Sequence, residues 1–118
     1  MTDPAADAAR SAAAILAADL GPGLPAEVEA ALAARGTGQR PDRYLDPVSL
    51  AGLIVAIADL AWTIYNDRRK QAPGPPPDSI ARQVRITLRD QDTVLPPGTE
   101  RITEVVATEI TRQASPPE

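Results

Sequence analysis

The side chains most often used for chemistry near neutral pH are missing: the chain has no His and no Cys. Without them there is no imidazole for acid-base work, no thiolate nucleophile and no thiolate or imidazole metal ligand. The remaining candidates are carboxylates and guanidinium groups. Asp42, Asp46 and Asp59 lie too far apart to form a paired acid and base, and Asp90-Gln91-Asp92 lacks the Gly and Glu that complete a calcium loop. Gly36-Thr37-Gly38 leads to neither the Lys nor the Ser/Thr of a phosphate-binding loop. These residues imply no catalysis, no cofactor, no metal and no small-molecule substrate.

The spacing that does stand out is one of recognition. Ser49, Gly52, Ala56, Asp59, Thr63 and Asn66 follow one another at steps of three and four, which on a helix forms one narrow seam of small and polar groups. Around it stand Leu50, Leu53, Ile54, Val55, Ile57, Leu60, Trp62, Ile64 and Tyr65. Gly52 and Ala56, four apart, form a small-xxx-small pair that lets two backbones approach closely, with Asp59 and Thr63 available for hydrogen bonds across the contact. A basic cluster, Arg68, Arg69 and Lys70, ends the segment and suits the negative end of a helix dipole.

The element that must position these residues is one long apolar helix over 46–70. Asp46 serves as its N-cap and Pro47 as its first residue, and Asp59 is the single charge between Val48 and Tyr65. The fold expected is all-α: a small segmented helical protein built on this helix. Residues 1–45 hold Ala-rich N-terminal helices and a loop. The first helix, capped by Thr2 or Asp3, has only Ile15, Leu16 and Leu20 to bury, so its early turns are expected to fray. A second short helix from Leu24 presents Val28, Ala31 and Leu32.

After the central helix, the Pro-rich stretch 71–77 reads as a stiff linker that holds off a C-terminal helical hairpin over 78–114. Asp78 is its expected first cap, and Ile80, Val84 and Leu88 recur at four-residue steps. An amphipathic strand over 82–90 competes with this reading because Val84, Ile86 and Leu88 also alternate with polar residues. Helix is preferred, since a single strand has no partner in the chain. Pro96-Pro97-Gly98 reads as a turn and Thr99 as the cap of a last helix carrying Ile102, Val105, Val106 and Ile110. Residues 115–118 are read as a disordered tail.

With a net charge of −4, broad electrostatic capture of nucleic acid is disfavoured. Eleven of the twelve basic residues are Arg, a bias that points to a bacterial coding sequence rich in G and C. No secretory signal precedes the first helix. The leading expectation is a non-catalytic adaptor or accessory subunit, cytoplasmic, whose apolar helix self-associates in a homo-oligomer or docks into a protein partner. One rival is a single-pass inner-membrane protein with a cytoplasmic C-terminal tail that recruits a partner, its basic cluster marking the cytoplasmic side. Against it stands Asp59, costing about 2.5–3.5 kcal/mol near a bilayer centre. A second rival is a small DNA-binding regulator reading phosphate through Arg82, Arg85 and Arg89.

Overall fold

The computed structural model describes residues 3–36, 50–71, 75–90 and 98–114. They form five helices: α1 (Pro4–Leu20), α2 (Leu24–Gly36), α3 (Leu50–Arg69), α4 (Pro77–Asp90) and α5 (Thr99–Ala114). The expected cap Asp46-Pro47, the loop before it, Ser49, the turn at Pro96-Pro97 and the 115–118 tail lie outside the described residues. Among those described there is no strand, so the fold is all-α and the helical alternative at 82–90 holds.

Asp3 opens α1, its carboxylate accepting from the backbone N–H of Ala5 (3.1 Å) and Ala6 (3.2 Å), two donors that a helix start otherwise leaves orphaned. Gly21 closes the helix at φ 128°, a backbone conformation that favours glycine, and its N–H reaches the Ala17 carbonyl at 2.9 Å. The chain then reverses into α2, whose Leu24, Val28 and Leu32 sit at four-residue steps and are buried. Across the α1/α2 pair, the Arg10 guanidinium meets Glu29 and Asp7. The hydrogen bond to Glu29 leads in raising the Arg10 pKa above its ordinary value.

The expectation that the first turns of α1 fray is overturned. Ala5, Ala6, Ala8, Ala9, Ala12, Ala13 and Leu16 are all buried, and α1 lies against α2, α3 and α5. Fraying was expected because alanine buries little apolar area. The compensating effect is proximity: a face no thicker than a methyl group admits neighbouring helices closely, and close packing restores the dispersion contacts that small side chains lack.

α3 is the hub, the one helix packed against each of the other four. Its inward face carries Leu53, Ile54, Ile57, Ala58, Ala61 and Tyr65, all buried. α4 and α5 form the expected hairpin, burying Ile80, Ala81, Val84 and Leu88 from one helix and Ile102, Val106, Ala107 and Ile110 from the other. The hairpin is not held away by the Pro-rich stretch: α4 packs on α3, and α5 packs on both α1 and α3. The radius of gyration, 13.5 Å, fits one close-packed chain of this size.

Two helix starts differ from the sequence reading by a residue or two. α4 begins at Pro77, inside the expected linker, with Ser79 N–H bonded to the Pro76 carbonyl at 3.1 Å; Asp78 therefore lies in the first turn rather than at the cap. Proline at a first helical position loses no bond, and a carboxylate there suits the positive end of the dipole. At α5 the cap is Gly98, φ 90°, whose carbonyl accepts from Ile102 N–H at 3.0 Å, and Thr99 becomes the first helical residue.

If α1 is clamped through its methyl face, Ala12→Leu should overpack that buried face and cost about 1–3 kcal/mol in urea denaturation. Ala14→Leu, on the exposed side of the same helix, should leave the midpoint almost unmoved. Equal midpoints for the two variants would show that the alanine face is not tightly packed.

Candidate interaction surface

The described seam residues, Gly52 to Asn66, come together on one side of α3, and that side is outward. Gly52, Ala56, Asp59 and Asn66 are partly exposed and Thr63 is exposed, opposite the buried row of Ile54, Ile57, Ala58, Ala61 and Tyr65. The pattern follows from helical geometry: small residues at steps of three and four share a face, and the large aliphatics on the other faces take the interior. Leu60 and Trp62 flank the seam, both only partly buried. The Trp62 ring stacks on Tyr65 with centroids 5.9 Å apart and planes 5° from parallel, which anchors the half-exposed indole to a buried partner.

Within the seam, the Thr63 hydroxyl donates to the Asp59 carbonyl at 3.0 Å. That local bond is the usual way for a mid-helix threonine to satisfy itself. Asp59 is partly exposed, so its charge avoids the cost that a fully buried carboxylate would carry. By length and composition α3 could cross a membrane, yet half of its apolar window is covered by this chain's own helices.

The basic cluster divides. Arg68 is half-buried and donates from Nη2 to Gln83 Oε1 at 3.2 Å, tying the end of α3 to α4. Arg69 and Lys70 are exposed beyond it, at the end of the helix where cations offset the dipole. Among the described residues, no group of three or more carboxylates is placed to hold a metal ion.

One feature escaped the sequence reading. Between α1 and α5 lies an open groove of about 220 Å³ lined by Ile15, Glu104, Val105, Thr108, Glu109 and Arg112. Ile15 stands 44% exposed at its edge, whereas Glu109 is only 3% exposed. The signal was present: positions 102, 106 and 109 fall on one helical face, so Glu109 continues the apolar stripe toward Ile110. Arg112 Nη1 lies 3.4 Å from Glu109 Oε2 and answers its charge from the surface. The Thr108 hydroxyl donates to the Glu104 carbonyl at 2.9 Å, and Glu104 faces Arg85 at 3.4 Å. The polar groups around the groove are thus engaged with one another, and its open floor is apolar.

Because Arg112 stands in water, removing the Glu109 carboxylate strands no buried charge, and a well-fitting apolar group in its place avoids the cost of burying that carboxylate. Glu109→Leu should therefore hold or raise the stability to urea by about 1 kcal/mol. A loss of comparable size would mean that the carboxylate, rather than its aliphatic stem, secures α5 against α1. Set against known protein families, curated proteins and solved structures, the chain matches none of them.

Proposed function

We propose that the chain is a non-catalytic adaptor or accessory subunit, and that the outward seam of α3 is its contact with a second copy or a partner protein. The observation that carries this reading is what the seam lacks. Outward positions of a surface helix are usually filled by long charged side chains that keep it solvated. From Leu50 to Tyr65, α3 has one charge, Asp59, and its exposed strip is built from Gly52, Ala56, Asp59 and Thr63 between Leu60 and Trp62. A second helix can approach such a strip closely, gaining packing along it while Asp59 and Asn66 set the register.

In this reading the contact is made in the cytoplasm. The alternative is membrane association through α3, favoured by its 20 residues, about 30 Å of helix at 1.5 Å per residue. Insertion would require Ile54, Ile57 and Ala61 to leave α3's neighbours, and Asp59 to find a partner in lipid.

Light scattering of the wild-type chain should give a mass above 12.4 kDa, falling to 12.4 kDa for Ala56→Leu or Gly52→Leu with helical circular dichroism retained. A variant mass equal to the wild-type mass would sink the seam as a self-contact. For the alternative, the protein expressed in a bacterium should remain in the membrane pellet after a carbonate wash; recovery in the supernatant removes the span.

A further inference from the structure

We propose that the outward face of α4 is a docking site for an acidic segment of another protein, with Ile86 as apolar anchor and Arg82, Arg85 and Arg89 as carboxylate receivers. Ile86 is 44% exposed although α4 has a full inward stripe in Ile80, Val84 and Leu88. Arg82 and Arg89, four residues before it and three after, share its side of the helix and are exposed. Neither makes an ion pair with a described residue, while Arg85 reaches Glu104 at 3.4 Å and keeps further N–H groups outward.

Charge is distributed to match. Residues 67–90 hold six basic and three acidic side chains, a local +3 in a chain of net −4, leaving −7 on the remainder. The Arg68 bond to Gln83 brings the end of α3, with exposed Arg69 and Lys70, beside this face. Such a patch attracts an acidic partner.

An acidic protein segment also suits the residue types better than the other anions do. The cations of α4 are all Arg, whose planar fork pairs bidentately with carboxylates. Phosphate of a nucleic acid would be served by the same forks, but it gives Ile86 nothing to bury against. A bilayer surface would ask for a continuous apolar face, and the outward side of α4 offers one isoleucine. This site is separate from the α3 seam, so either can fail without the other.

The test is fluorescence anisotropy of the full chain with a labelled short amphipathic peptide bearing Glu on its polar face and Leu on its apolar face. Saturable binding is expected that weakens as salt rises, is lost when every Glu of the peptide becomes Gln, and falls about tenfold for R82E/R89E. Ile86→Ser should weaken it several-fold, and because all three positions are exposed the variants should keep the wild-type circular dichroism. The proposal is overturned by absence of saturable binding, by equal binding of the Gln peptide, or by either variant binding like wild type. Tighter binding of duplex DNA or of phosphatidylglycerol vesicles than of the acidic peptide also overturns it.

Discussion

Everything in this fold depends on the close contact made by the alanine face of α1. The chain has no Phe and one Trp, so it cannot fill a wide interior with bulk. What it does instead is reduce the space to be filled. Ala8, Ala9, Ala12 and Ala13 are fully excluded from solvent on a helix packed against α2, α3 and α5, and each contributes only a methyl group to the interior. At about 0.8 kcal/mol per buried carbon the individual gains are small, and they are realised only if the partners are near enough to leave no void. The large β-branched side chains, Ile54 and Ile57 on α3 and Ile102 and Ile110 on α5, supply the volume that α1 does not.

This division of labour explains why α3 touches every other helix. A helix apolar over most of its circumference needs neighbours on several sides, and α1, α2, α4 and α5 together meet that need on all but one. The polar groups admitted to the interior are ones that bring their own partners. Thr103, 1% exposed, donates to the Thr99 carbonyl at 2.8 Å, and Thr111 donates to the Ala107 carbonyl at 2.9 Å. Glu109 is the exception in kind, since its partner, Arg112, reaches in from the surface.

Where periodicity and side-chain size agreed, the sequence was informative. The central helix, the α4/α5 hairpin and the outward seam all follow from steps of three and four among residues of strongly contrasting size. At 82–90 two periods competed, and burial separates them: Ile80, Val84 and Leu88 are inside while Ile86, which the alternating pattern would place with Val84 and Leu88, is out. The burial of α1 could not be read this way, because an alanine-rich helix shows little contrast between faces and its inward side is set by what its neighbours can tolerate. Val105, read on one face with Ile102, Val106 and Ile110, is only partly buried and lines the groove, because it lies at the edge of that face. The starts of α4 and α5 moved because Pro77 takes a first helical position and Gly98 the cap, roles that a proline and a glycine fill readily at a helix N-terminus.

The hub role of α3 also bears on how a bilayer would compete for it. Bundle and span are not additive uses of this helix, because they draw on the same side chains. In the bundle, Ile54, Ile57, Ala58 and Ala61 are covered by the chain's own helices and Asp59 meets water. In lipid those side chains would keep an apolar environment, but α1, α2, α4 and α5 would lose the surface of α3 that they pack against, and Asp59 would give up its hydration. The transfer thus exchanges one apolar contact for another on α3 while exposing apolar area on at least two other helices. Its cost falls mainly on the residues left behind, so the apolar faces of the helices around α3, and not the hydrophobicity of α3 itself, set how strongly the bundle resists giving that helix up.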